Sequence, residues 1–175
     1  MRIMTRDRMI DAVHGATADV FTTMLGLEVE PLSSRMEASC PPVTDGVLSF
    51  IGLAGPWVGT GCIALSAHFA CRLCAVFLMT EAEAVNEEVL DSVGELTNMI
   101  IGNFKTSAEE CLGPMGISIP TVIYGRNFTS RSLGSNEWLV LPFRCGEDVF
   151  EVRICLAPAS ETVASRFAVE HLQTA

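Results

Sequence analysis

Asp91, Glu95 and Asn98 lie in one segment, Asp91-Ser92-Val93-Gly94-Glu95-Leu96-Thr97-Asn98-Met99-Ile100-Ile101-Gly102-Asn103-Phe104-Lys105. An α-helix turns about 100° per residue, so Asp91, Glu95, Asn98 and Gly102 fall within an arc of roughly 60°. Leu90, Val93, Leu96, Ile100, Ile101 and Phe104 spread over the opposite side, the face that seats a helix on a sheet. The polar stripe therefore points outward. Asn is a poor helix-interior residue because its amide competes for backbone groups. Gly102 costs about 1 kcal/mol relative to Ala in such a position. A glycine there admits close approach by a partner; the alternative is a kink or fraying near the helix end. Between Arg72 and Lys105 there is no basic residue, while Glu81, Glu83, Glu87, Glu88, Asp91 and Glu95 all fall in that interval. The segment is either a solvated acidic face, favourably charged near a helix N-terminus, or a docking surface for a basic group on another protein.

Other candidates carry less. Cys71-Arg72-Leu73-Cys74 is a CxxC with no second pair at zinc spacing, on an apolar helix, and reads as buried thiols. His14, His68 and His171 show no ligand spacing. Gly52, Gly55, Gly59 and Gly61 lack the GxxxxGK[ST] pattern, so a hairpin with close backbone packing is favoured over a phosphate loop. Trp57 reads as a core residue or a sheet-end anchor.

The elements that must hold the stripe follow from periodicity and breakers. Residues 7–25 read as a helix stopped by Gly26, and 28–45 as irregular, with Pro31, Pro41 and Pro42 as breakers. Val47–Leu53 and Trp57–Ser66 read as strands around a turn. Helices follow over about Ala67–Met79 and Ala84–Cys111, the second ended by Gly113-Pro114. Ile117–Tyr124, Glu137–Arg144 and Val149–Leu156 read as strands, and a short helix is expected from Ser160. This order predicts an α+β fold with a largely antiparallel sheet covered by helices. A faint repeat links Ile10–Ala18 to Leu90–Asn98 at an offset of 80 residues, matching Asp11 with Asp91, Val13 with Val93 and Thr17 with Thr97. Gly15 and Ala18 stand where the second copy has Glu95 and Asn98.

Composition bounds the reading. The chain has 175 residues, 49% hydrophobic and 18% charged, enough for one domain spanning 1–175 with a sizeable core. A net charge of −10 argues against nucleic-acid binding, which needs a basic face. Seven cysteines, an odd number set among apolar neighbours, suit a reducing cytoplasm. The first eight residues lack the apolar stretch of a secretory signal. The most apolar region, Gly61 to Met79, is broken by His68 and Arg72, so no membrane span is expected.

The pattern Asp91-x-x-x-Glu95-x-x-Asn98 is similar to the signature of the CheC/CheX/FliY phosphatases of bacterial chemotaxis. Gly94-Glu95-Leu96-Thr97-Asn98-Met99-Ile100-Ile101-Gly102-Asn103-Phe104-Lys105-Thr106 resembles the CheX branch most closely. The family's downstream proline is matched by Pro120 in Ile119-Pro120-Thr121-Val122-Ile123-Tyr124-Gly125, and the hairpin from Phe50 to Ser66 is similar too. The resemblance covers most of residues 5–157. It implies a pseudo-twofold α+β domain, and a phosphatase for the aspartyl-phosphate of a CheY-like response regulator. It implies one active helix per chain, since Gly15 and Ala18 replace the pair in the first half. Asn98 would orient the attacking water, as the water-orienting Gln of GTPases does. Glu95 would pair with the regulator's active-site lysine. Met99 and Gly102 would lie at the contact surface, and Asp91 would either bind the partner's basic rim or support the helix N-terminus. No cofactor of its own is expected; a divalent metal, Mg²⁺, is expected on the regulator. A homodimer and a cytoplasmic location are carried over as expectations. A CheX-like module that docks a regulator or flagellar-switch partner without turnover is the alternative, and a structural dimer with a solvated helix face is the third.

Overall fold

A side chain caps the start of each of three α-helices. In the computed structural model, which describes residues 4–129 and 137–160, Thr5 accepts from the Arg8 N–H and opens α1 (Arg6–Val20). Ser66 accepts from Phe69 N–H and opens α2 (Ala67–Leu78). Asn86 accepts from Val89 N–H and opens α3 (Glu87–Leu112). This cap is why α3 starts three residues later than hydrophobic periodicity alone suggests. The expected first helix, 7–25, divides: α1 gives way to a π-helical turn over Phe21–Leu25 that keeps Phe21 and Leu25 buried. Gly26, at φ +62°, ends it. Met79 takes the left-handed conformation at the end of α2, and Gly113, at φ +81°, ends α3.

Among the described residues, eight antiparallel strands form one sheet: β1 (Glu30–Pro31), β2 (Arg35–Glu37), β3 (Val43–Ala54), β4 (Trp57–Leu65), β5 (Gly116–Ile117), β6 (Thr121–Phe128), β7 (Trp138–Cys145) and β8 (Asp148–Pro158). The order is β1-β7-β8-β4-β3-β5, with β2 also on β7 and β6 on β3. The hairpins β3–β4 and β7–β8 thus meet along β4–β8. Each half lends its outer strands to the other half's hairpin, which is the pseudo-twofold arrangement expected. The segment expected to be irregular, 28–45, supplies β1 and β2 and the start of β3. Pro31 is tolerated because β1 lies at a sheet edge. The strand expected over Ile117–Tyr124 is broken. Leu53 pairs with Ile117 and Phe50 with Thr121, so the stretch Ser118–Pro120 holds one extra residue against β3. Ser118 secures this bulge by exchanging hydrogen bonds with the Gly52 backbone, both at 2.9 Å. The helix expected from Ser160 falls almost wholly outside the described residues.

Helices α1, α2 and α3 cover one face of the sheet. Val47, Ile51, Ile63, Leu65, Leu139, Leu141, Phe143, Val152 and Ile154 point up into them. Phe150 stacks on Phe21 and Phe143 at 5.0 and 5.3 Å between ring centres. Gly61 lets α3 sit close, since a Cβ there would stand 2.7 Å from Ile101 Cδ1. Gly59 lets β8 pass at short range: its Cβ would fall 1.9 Å from the Cys155 carbonyl oxygen. The glycine-rich stretch is therefore a closely packed hairpin. The opposite sheet face carries a smaller core of Cys40, Val43, Leu48, Cys62, Ala64, Trp138, Val140 and Cys155. No helix among the described residues is long and apolar enough to cross a membrane.

Candidate active site on the outer face of α3

The core face of α3 is set by Val93, Leu96, Ile100, Ile101 and Phe104, each at most 3% exposed. This burial fixes the helix's rotation, and with it the direction of the stripe. Asp91 and Glu95 are exposed; Asn98 and Gly102 are half-buried. Among the described residues, no hydrogen bond or ion pair engages the side chains of Asp91, Glu95 or Asn98. The four residues do share one face, as their spacing requires. Met99 is half-buried, like Asn98, and packs against the core at the flank of the stripe.

Two walls border the stripe. On one side the Ser118–Pro120 bulge leans on α3: a Cβ at Gly94 would meet Pro120 Cγ at 3.6 Å and Val122 Cγ2 at 3.3 Å. Pro120 thus packs one helical turn before Asn98, at Gly94, where α3 has no side chain to push it away. Ile119, just before it, is 85% exposed. On the other side α2 lies along α3, and Ser92 Oγ donates to Cys74 Sγ at 3.4 Å. A groove of about 370 Å³ opens there, lined by Phe77, Leu78, Glu88, Asp91, Ser92 and Glu95. Gly102 faces open space, with no atom within 4 Å of where its Cβ would stand. Toward its C-terminus, α3 is braced by a Lys105–Glu109 ion pair at 3.0 Å and by Met115 N–H donating to Glu109 Oε1 at 2.8 Å. Those contacts hold the Glu109 carboxyl below its usual range. The brace accounts for a helix that runs on past Gly102 to Leu112 in place of the fraying that Gly102 permits.

The repeat survives in three dimensions. Thr17 and Thr97 are both buried, and each hydroxyl donates to the carbonyl four residues earlier, Val13 and Val93, at 2.8 and 2.7 Å. Val20 and Ile100, again 80 apart, are both buried. Gly15 and Ala18 are exposed on α1, as Glu95 is on α3. The two helices touch, with Asn103 Nδ2 3.4 Å from Asp19 Oδ2.

The family model described as chemotaxis phosphatase CheX matches residues 47–144, a span that contains α3, its stripe and Pro120. The chain belongs to the CheX family. It is 25% identical over 129 residues to the CheY-P phosphatase CheX of Thermotoga maritima, covering 73% of this chain and 82% of that one. The chemotaxis protein CheX of Vibrio vulnificus superposes with a TM-score of 0.74 at 26% identity, covering 85% and 99% of the two chains. The CheX of a CheX–CheY–BeF3–Mg complex from Borrelia burgdorferi superposes with a TM-score of 0.70 at 25% identity, covering 89% and 99%.

Other candidates from the sequence find structural places. Cys71 and Cys74 are buried in α2, and no group of three or more metal-ligating side chains occurs among the described residues. His14 meets the Phe143 ring edge-on at 5.5 Å, and burial pushes its pKa down against the raising effect of Asp11. His68 is 3.4 Å from Asp148, which also pairs with Arg72 at 2.5 Å. His171 lies outside the described residues. Trp57 opens β4 opposite Pro158, at the end of the sheet. The groove beside Leu78 escaped sequence reasoning. Its only signal was Leu78-Met79, two apolar residues at a helix end with no place in the core stripe.

Proposed function

We propose that this protein is a phosphatase for the aspartyl-phosphate of a CheY-like response regulator, with α3 entering the regulator's active site. The observation that carries this reading is the outward stripe of Glu95 and Asn98 on a helix whose rotation is locked by the core, in a CheX-family fold. An acyl phosphate is already reactive, so what remains to be supplied is placement of water for in-line attack. The Asn98 carboxamide accepts from that water and donates toward the phosphoryl oxygens, with no charge to repel them. Glu95, an anion, pairs with the regulator's lysine and aligns the helix. Asp91 faces the basic rim around that site. The divalent metal, Mg²⁺, belongs to the regulator as substrate. The chain works in the cytoplasm as a homodimer, which light scattering of the purified protein tests.

The deciding experiment follows decay of phosphorylated CheY-like regulators of the host with wild type, Asn98→Ala and Glu95→Ala. Asn98→Ala loses turnover on the order of a hundredfold while regulator binding survives. Glu95→Ala mainly weakens binding. Normal decay with Asn98→Ala overturns the water-orienting role. Binding by wild type without any acceleration of decay leaves a docking module in place of an enzyme.

A further inference from the structure

Large apolar side chains stand exposed where α2 ends beside the stripe. Leu78 is 46% exposed and Met79 95%. Met79 is held there by its left-handed backbone, φ 54°, which turns the chain away from α2 and presents the side chain to solvent. Leu78 and Phe77 form the apolar wall of the groove described above; Glu88, Asp91 and Glu95 form the other wall. The groove is therefore continuous with the stripe, sharing Asp91 and Glu95 with it. Apolar surface at the centre of a contact with charge at its rim is the anatomy of a protein docking site. Methionine suits such a surface because its flexible thioether adapts to the shape it meets.

We infer that this groove and the end of α2 form a second docking element for the response regulator, one that takes an apolar side chain lying beside a lysine or arginine. The inference rests on the phosphatase reading and deepens it: α3 supplies the chemistry, and the α2 end selects which regulator is held. The occupant follows from charge. No basic residue lies between Arg72 and Lys105, so the groove repels an acidic face and attracts a basic one. The regulator already brings a cation to Glu95, and a second one a helical turn or two away meets Asp91 and Glu88. An apolar residue between the two cations seats on Leu78 and Met79.

The test uses the CheY-like regulator that the wild type dephosphorylates fastest, with phosphoryl-group decay read over a range of regulator concentrations. The double variant Leu78→Ser/Met79→Asn strips Leu78 from the apolar wall and the exposed Met79 beside it, and Asn tolerates the left-handed conformation at position 79. Its KM rises about tenfold with kcat close to wild type. Glu88→Gln, which leaves the apolar wall intact, raises KM at low salt, and the effect shrinks as salt screens the groove. Wild-type KM in both variants overturns the docking element while leaving the phosphatase reading intact. A fall in kcat at unchanged KM overturns it too, since that marks an effect on the chemistry. If no regulator is bound or dephosphorylated by the wild type, both readings fall together.

Discussion

Replacing Gly102 with alanine should make the protein more stable and a worse enzyme. A Cβ at this position meets no heavy atom within 4 Å, so the added methyl displaces nothing. Gly102 sits well inside α3, sixteenth of its 26 residues. Alanine gains about 1 kcal/mol there through helix propensity, worth roughly 2–4 °C in Tm for a domain of this size. The same methyl stands about 1.5 Å above the helix backbone, on the face proposed to approach the regulator. A misplacement of about 1 Å near reacting groups costs on the order of a hundredfold, so kcat/KM should fall by about ten- to a hundredfold. Gly15→Ala is the control. Gly15 also faces open space, and it lies on the exposed face of α1, where no Glu/Asn pair stands. It should gain similar stability with activity kept. Thermal melts and regulator dephosphorylation read both quantities on each protein. If Gly102→Ala is as active as wild type, close approach is not the reason for the glycine. If it lowers Tm, the open space found at this position is wrong.

Arg153 is 4% exposed on the sheet face away from the helices, paired to Glu151 at 2.7 Å and donating to the Pro41 carbonyl at 2.8 Å. Arg153→Leu leaves the Pro41 carbonyl without this donor and Glu151 with Arg35 alone, and should cost about 3 kcal/mol in urea unfolding, with kcat unchanged because α3 lies on the other face. Stability should also fall at high pH. Burial pushes the Cys155 thiol up to about 11 and the Cys71 and Cys145 thiols upward, and the hydrogen bond with Cys40, together with burial, raises Cys62 well above its usual value. The folded chain therefore keeps protons that the unfolded chain releases, so stability is full below about pH 9 and is lost as pH rises toward 11. A urea midpoint equal at pH 8 and pH 10.5 contradicts this. His14 acts at the other end. Its lowered pKa means the unfolded chain takes up the proton first as pH falls below about 6.5. His14→Phe, which keeps a ring against Phe143, should lose less stability than wild type between pH 7 and pH 5.

The sequence by itself determined the site's direction and much of its frame. Spacing alone places Asp91, Glu95, Asn98 and Gly102 on one helix face, because 3.6 residues per turn leaves no other arrangement. Gly113-Pro114 marks the end of α3, and the 80-residue echo between α1 and α3 is visible as Thr17 and Thr97 before their matching hydrogen bonds are known. Local rules could do this because each concerns neighbours along one helix. Long-range packing decided the rest. β1 and β2 are too short and proline-broken to read as strands, and exist because β7 offers them an edge. The Ser118–Pro120 bulge depends on Gly52, 66 residues earlier in the chain. Met99 stands at the stripe's flank by number, and packing against the core leaves it half-buried. Only the tertiary structure brings Pro120 onto Gly94 and the end of α2 alongside Glu95, since contacts between distant segments are set by how three helices share one sheet face.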